Sequence, residues 1–389
     1  MTQADRWLLP DGIEEILPPQ AQRGEHLRRH LIDVLDNWGY DFVVPPALEY
    51  LESLLTGAGK NLDLRTFKVT DQLSGRMMGL SADATPQVAR IDAHSLAPTG
   101  VSRLSYCRTV FHTKAQSLLA SRTPTQIGAE LYGAENVEAD IEIISLMLTV
   151  LASAKIQAVH LDIGHVAVFN AIVAAAHLNE QQQTELFNLL KLKCRGDIEV
   201  WAQENIKTAA VVEALQLFIR QQGNVTDLSE GLAALSRIVP AAAEAIKDIQ
   251  SVVEQINKRF PTIPVNLDLT ELRGYHYHSG LVFAAYIPGF GDAIAKGGRY
   301  DHAGAAFGRA RAATGFSADL KVLARFGSFD ANKKLTYLAP HDPDPALWQE
   351  IDKLRASGQR VITDLNGQIS QQVDGQLKQI NGQWQLVKA

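Results

Sequence analysis

Two neighbouring stretches carry the side chains best suited to chemistry: LRGYHYHSGLVF, Leu272 to Phe283, and AKGGRYD, Ala295 to Asp301. The first reads as a strand on which Arg273, Tyr275, His276, Tyr277 and His278 bring a fixed cation, phenols and imidazoles together. In the second, the pair Gly297 and Gly298 lets a neighbouring strand approach closely. Together they predict a pocket for something small, polar and anionic. A further set lies upstream: Asp83 and Thr85 in LSADATPQVAR, then Gln126 and Glu130 in TQIGAELYG. Two carboxylates and a glutamine converging from different strands suit an ammonium and a carboxylate on one small ligand.

These side chains need a scaffold, and the hydrophobic pattern supplies its outline. Leu27, Leu31, Val34, Leu35 and Trp38 form one apolar stripe of a helix from about Gln20 to Trp38, stopped by Gly39. A strand from Tyr40 to Val44 runs into Pro45 and Pro46; proline cannot donate to a ladder, so the strand belongs at a sheet edge or a subunit boundary. RLSYCRTVFHTKAQSLLASRTPTQIGAELYG reads as strand, long polar loop, strand. Between Asn136 and Ile156 a helix sets Glu138, Asp140 and Glu142 at its positive end and Ile141, Ile144, Leu148 and Leu151 toward a core. In the next strand Val159, Leu161 and Ile163 alternate with His160 and Asp162, and His165 reads as a structural or capping residue. Phe169 to Phe260 is helical in pattern, broken near Gly196, Gly223 and Pro240. The sheet resumes at PVNLDLT, and ATGFSADLKVLARF, Ala313 to Phe326, reads as a strand leading into a helix. Beyond Lys334 come a strand, a helix closed by Gly358, a second strand and a hairpin turning at Asn381-Gly382.

Composition narrows the function classes. A chain of 389 residues can bury a large core and predicts two or three domains, and its net charge of -6 argues against a dominant nucleic-acid surface. Cys107 and Cys194 stand in no metal-ligand or redox spacing, which predicts ordinary thiols in a reduced, cytoplasmic setting. No segment reads as a signal peptide or a membrane span. Nor is there a P-loop or a phosphoribosyl pyrophosphate motif, so no cofactor and no metal is expected.

Four of these segments, in this order, resemble the signatures of class II aminoacyl-tRNA synthetases, and of the histidyl enzymes in particular. Helix, strand and PALEYLESL resemble the first signature, which builds the homodimer in that family. LSADATPQVAR resembles its L-R-P-E-G-T run, the segment containing Phe111, Gln126, Gly128 and Glu130 its second signature, and Ala313 to Phe326 its third. LRGYHYH and KGGRYD resemble the R-G-x-x-Y-Y and A-G-G-R-Y-D pair that holds the substrate histidine, with Tyr275 to His278 standing where the family has L-D-Y-Y. The resemblance implies an α+β fold: a synthetase-like antiparallel sheet flanked by helices, with a helical insertion and a small C-terminal α/β domain. It implies core segments 1–168 and 263–330, an insertion at 169–262 and a terminal domain at 331–389.

The departures from that family decide the function. Where the synthetases grip the α-phosphate of ATP with arginine this chain has His112, and where a second arginine grips the γ-phosphate it has Val322, with Asp319 in place of a glycine. Each lost guanidinium removes a bidentate, permanently charged contact worth at least ~100-fold in rate. The tail is too short, and too poor in clustered lysine and arginine, to resemble an anticodon reader, so no tRNA is expected as a partner.

A histidine-recognition scaffold without its ATP grip resembles the regulatory subunits of ATP phosphoribosyltransferase. That resemblance implies a non-catalytic subunit of histidine biosynthesis. It implies a short-form catalytic subunit as partner, a homodimer or larger assembly within a hetero-oligomer, and free histidine as effector. The histidine site it implies comprises Asp83, Thr85, Gln126, Glu130, Arg273, Tyr275 and His278. Set against it stand a relic pocket filled by its own side chains, a divergent synthetase, and an adaptor for some other partner.

Overall fold

A nine-stranded sheet organises the larger of two compact units, Met1–Phe329, while the smaller, Asp330–Ala389, carries a sheet of its own. The computed structural model describes residues 7–56, 60–115, 117, 120–272, 274–275, 277–330, 334–367 and 372–388. The chain begins with α1 (Gln20–Asn37), β1 (Asp41–Phe42), β2 (Leu48–Tyr50), α2 (Leu51–Leu55), α3 (Lys60–Arg65), β3 (Phe67–Thr70), β4 (Met77–Leu80) and α4 (Thr85–Arg90). A long hairpin of β5 (Ser102–Thr109) and β6 (Thr125–Tyr132) precedes α5 (Val137–Ser153) and β7 (His160–His165). The helical stretch comprises α6 (Val166–Ala175), α7 (Glu180–Leu192), α8 (Arg195–Asn205), α9 (Ala209–Arg220), a short β8 (Gln222–Asn224), α10 (Ser229–Ile238) and α11 (Ala243–Arg259). β9 (Val265–Asp268), β10 (Leu281–Tyr286), β11 (Ala295–Arg299) and β12 (Ala313–Asp319) complete the sheet, and β12 runs into α12 (Leu320–Phe326).

The strand order is β1-β5-β6-β12-β11-β10-β7-β9-β8, antiparallel throughout except for the pairs β1–β5 and β7–β9. β1, whose chain runs on into Pro45 and Pro46, is an edge strand, as the missing donors require. The apolar stripe of α1 buries Leu27, Leu31 and Leu35, with Val34 and Trp38 packed at its margin. α5 lies against α1, α11 and β12, so Ile143, Leu146, Met147 and Val150 are buried along with the face read from the sequence. His165 caps α6, its Nδ1 accepting from the Ala167 N–H at 3.2 Å.

The helix breaks expected near Gly196 and Gly223 are present, while one expectation, the long strand, fails. The break near Gly223 is β8, an edge strand paired with β9, and the break near Gly196 falls earlier, at Lys193 and Cys194, because Lys193 takes a left-handed φ of 56°. LRGYHYHSGLVF is not a continuous strand: β10 starts only at Leu281. Before it the chain turns on Gly274, whose carbonyl accepts from the N–H groups of Tyr277 at 2.7 Å and His278 at 2.9 Å. Gly274 holds a φ of +67°, so the turn forms there and the alternation expected of a strand is lost. Arg273 and His276 lie outside the described residues.

The two faces of the sheet separate two clusters. Along β6, Ile127, Ala129 and Leu131 enter the main helical core, while Gln126, Gly128, Glu130 and Tyr132 face the other way. There a smaller cluster gathers Ala84, Val88, Leu104, Tyr106, Tyr132, Tyr300 and Ala313. This second face carries the candidate site.

In the C-terminal unit, β13 (Thr336–Pro340), α13 (Pro345–Ala356), β14 (Arg360–Asp364), β15 (Gly375–Ile380) and β16 (Gln383–Lys388) form a sheet of order β14-β13-β15-β16. α13 buries Leu347 and Ile351 on Ala339, Val361 and Leu377. The β15–β16 hairpin turns at Asn381 and Gly382 with φ values of 51° and 78°, both positive as a type I′ turn needs. No helix among the described residues is long and apolar enough to cross a membrane, and they hold no group of three or more His, Cys, Asp or Glu placed to bind a metal.

Candidate functional site

Glu130 lies at the bottom of the site, 1 % exposed. Its position depends on two glycines. A Cβ at Gly315, directly opposite on β12, would fall 1.6 Å from Glu130 Oε2, and one at Gly128 would fall 2.6 Å from the Tyr106 hydroxyl. Their absence lets the carboxylate and the phenol lie along the sheet. Three hydroxyls then close on Glu130: Thr85 Oγ1 donates to Oε1 at 2.9 Å, Tyr106 to Oε1 at 3.0 Å, and Tyr300 to Oε2. Burial pushes the carboxyl up to about 8, the hydroxyls opposing but not cancelling it. Glu130 therefore holds a proton more tightly than a free carboxyl, and a donor or cation arriving beside it would favour the carboxylate.

A second group sits on the turn that leads into α4. Asp83 Oδ1 accepts from Gln126 Nε2 at 3.0 Å and from the Thr85 N–H at 3.1 Å, and Gln126 Oε1 accepts from the Ala84 N–H at 2.9 Å. Asp83, Thr85, Gln126 and Glu130 are thus brought together as the sequence predicts, with Asp83 on a turn rather than a strand.

The aromatic residues divide. Tyr277 stacks on Tyr300 with centroids 5.1 Å apart and meets His278 edge-on at 5.4 Å. His278 Nδ1 donates to the Arg299 carbonyl at 3.2 Å, and burial holds the imidazole down at about 4. Tyr275 goes elsewhere: its hydroxyl donates to Asn170 Oδ1 at 2.8 Å, and its ring packs on Phe169 and Phe187 among the helices. Its expected place beside the other site residues is a correction, and the cause is the Gly274 turn, which sends Tyr275 and Tyr277 in different directions.

Tyr106, Tyr300 and Arg65 were not singled out by the sequence. For Tyr106 a signal existed, since an aromatic directly across from Gly128 has room to cross toward Glu130 two residues on. Arg65 carried none. It ends α3, and the Thr113 N–H to Arg65 O bond, 3.0 Å, ties that end to the chain beyond β5. Its Nη2 lies 2.8 Å from His112 Nε2. His112 is 5 % exposed, and burial, then the Arg65 charge, lower its proton affinity.

Asp319 and Val322 have structural partners. Asp319 accepts from the N–H groups of Thr125 and Lys321, each at 3.0 Å, capping α12 and joining it to β6. Val322 packs against the main core. Three buried side-chain atoms without a partner, Arg65 Nε, His112 Nδ1 and Tyr277 OH, belong to residues that all feel the charge of Asp83. Buried polar groups are rarely left so.

The fold and this constellation define a histidyl-tRNA-synthetase-like protein, and the family model described as histidyl-tRNA synthetase matches residues 12–323. A second model, described as the ATP phosphoribosyltransferase subunit HisZ C-terminal domain, matches residues 336–387. The chain is 48 % identical over 390 residues to an ATP phosphoribosyltransferase regulatory subunit of Chromohalobacter salexigens, covering 99 % of each. It is 46 % identical to one of Pseudomonas aeruginosa, again over 99 % of each. This chain belongs to the family of ATP phosphoribosyltransferase regulatory subunits. Among solved structures, an ATP phosphoribosyltransferase regulatory subunit/histidyl-tRNA synthetase from Bacillus halodurans superposes with a TM-score of 0.82 at 24 % identity, covering 95 % of this chain and 96 % of that one. A histidyl-tRNA synthetase from Nostoc superposes with a TM-score of 0.79 at 18 % identity, covering 96 % and 91 %. These two likenesses are of fold.

Proposed function

We propose that this chain is a non-catalytic regulatory subunit that assembles in the cytoplasm with a short-form ATP phosphoribosyltransferase, activates it, and carries feedback inhibition by histidine, without tRNA. The observation that carries the reading is the asymmetry of the synthetase-like site. Its amino-acid end keeps Asp83, Thr85, Gln126 and Glu130 in one hydrogen-bonded group, while the phosphate end has His112, Asp319 and Val322 in place of a grip. A neutral imidazole and a valine supply no charge to a transferring phosphate, so adenylation of histidine by this chain is lost. Histidine in such a pocket meets Asp83 and the phenols of Tyr106, Tyr277 and Tyr300, with Glu130 beneath; Arg273 is assigned to its carboxylate by resemblance alone.

A homodimer is part of the proposal. Phe42, Val44 and Leu48 expose large apolar side chains just beyond α1, and Val69, Leu73 and Met77 do so on the small antiparallel sheet of β2, β4 and β3. An exposed apolar group of this size beside an edge strand fits a self-association surface.

The test is direct. Mixed with a short-form catalytic subunit, the chain is expected to co-elute with it, raise its rate of condensing ATP with phosphoribosyl pyrophosphate, and confer histidine inhibition that Glu130→Ala weakens at least about 10-fold. Absence of both a complex and a rate increase would refute the partnership. Histidine-dependent exchange of pyrophosphate into ATP by the chain alone would refute the loss of catalysis.

A further inference from the structure

Arg65 is a half-buried cation that forms no ion pair among the described residues. Its side-chain partner is His112, a neutral ring, and its Nε is buried without an acceptor. Charge taken out of water is retained only where something compensates it. Asp83 acts on Arg65 favourably but does not pair with it.

The proton on His112 follows from the same contact. Two contacts compete for Nε2: Arg65 Nη2 at 2.8 Å, which can only donate and needs a lone pair there, and the Ala82 carbonyl at 3.0 Å, which needs a proton; taking the shorter contact puts the proton on Nδ1. The Ala82 carbonyl, 3.0 Å from Nε2, then has no proton to accept. Nδ1–H is itself buried and unpartnered. Lys296, exposed on β11, also bears electrostatically on this ring. With that assignment one permanent cation and two spare donors, Arg65 Nε and His112 Nδ1, lie together between α3 and the chain beyond β5.

We propose that Arg65 and His112 form an oxyanion-binding subsite beside the amino-acid pocket, rebuilt from different residues after the phosphate grip was lost. A planar guanidinium edge and an imidazole N–H suit a carboxylate or a phosphate group. Two sources of that chemistry fit: the carboxylate of the amino-acid effector, or a free phosphate or pyrophosphate lying next to it. The subsite does not depend on the histidine reading, because the second source needs no amino acid.

The experiment is calorimetric titration of the full chain, in buffer free of other oxyanions, with inorganic phosphate, pyrophosphate, histidine and histidinol, which lacks the carboxylate. If the effector carboxylate is the occupant, the wild type prefers histidine over histidinol by at least about 10-fold, and Arg65→Gln reduces that ratio to within about 2-fold. If free phosphate is the occupant, phosphate or pyrophosphate binds the wild type and weakens at least about 10-fold in Arg65→Gln, with Arg65→Lys between the two. Where Arg65→Gln does not melt cooperatively, His112→Phe, which removes the second donor but keeps a ring, decides by the same ratios.

The subsite is overturned if phosphate and pyrophosphate bind neither protein, or both equally, and the histidine to histidinol ratio is unchanged by the substitution. Phosphate binding through Arg65 with no histidine binding overturns the histidine reading and leaves the subsite standing. Histidine binding with an unchanged ratio and no phosphate response does the reverse.

Discussion

Two arginines on opposite faces of the same sheet show how differently one charge can be housed. Arg299, at the end of β11 on the core side, is saturated. Its Nε and Nη2 reach Asp140 Oδ2 at 3.0 and 2.7 Å, and it donates also to the carbonyls of Ala134 and Asn136 and to Asp301. Even so, burial holds the Asp140 carboxyl above its ordinary value, so the attraction only partly offsets desolvation. Arg65, on the site side, meets one neutral ring and keeps a spare donor. A cation that serves the fold finds its anion within the chain. One left with a spare donor beside a neutral ring is, in the subsite proposed above, available to an anion from outside.

Breaking the saturated member should cost most. Asp140→Asn is expected to destabilise the chain by about 3–5 kcal/mol in urea denaturation, because it strands Arg299 in the core. The double variant Asp140→Leu with Arg299→Met should recover much of that loss; a loss under about 1 kcal/mol for Asp140→Asn would mean the core does not depend on the pair.

Glu130 sharpens the comparison from the anionic side. Its folded value of about 8 lies above the ordinary 4.5, so the unfolded chain loses its proton first and stability falls as pH rises from about 5 toward 8. Between pH 5 and 7.5 this amounts to about 3 kcal/mol. Glu130→Gln should flatten that slope in melts across the range, and an unchanged slope would assign the effect to other groups.

The smallest effect belongs to Arg65. Arg65→Met should change stability by less than about 1 kcal/mol in anion-free buffer, since the loss of one bond to His112 is set against relief of a desolvated charge. Added phosphate should widen the gap in favour of the wild type. A loss of several kcal/mol without any anion would make Arg65 a second structural arginine and erase the contrast.

Much of this was legible where one period or one cap governs. The α1 stripe, the His165 cap, the β12-to-α12 step and the Asn381-Gly382 turn all follow from local spacing. Glu130 was reached through a resemblance, on the spacing from Phe111 to Gln126, Gly128 and Glu130, and alternation along β6 then sets Gln126, Gly128 and Glu130 on one face. Tyr275 was misread because aromatic residues two apart imitate a strand, and a single positive φ at Gly274 cancels the period. Arg65 was invisible because it acquires meaning only from His112, 47 positions on.

The space that Gly315 leaves for Glu130 has a consequence for how this lineage can vary. With a Cβ at Gly315 falling 1.6 Å from Glu130 Oε2 and 2.8 Å from the Ala129 carbonyl, any other residue at 315 must displace both the carboxylate and the neighbouring strand, while shortening Glu130 alone leaves an unfilled hollow. Shortening Glu130 would remove only the first of those clashes, so position 315 stays closed to a side chain whatever stands at 130. Variation at the floor of the site is thus limited first by the backbone at 315 and only then by the carboxylate at 130.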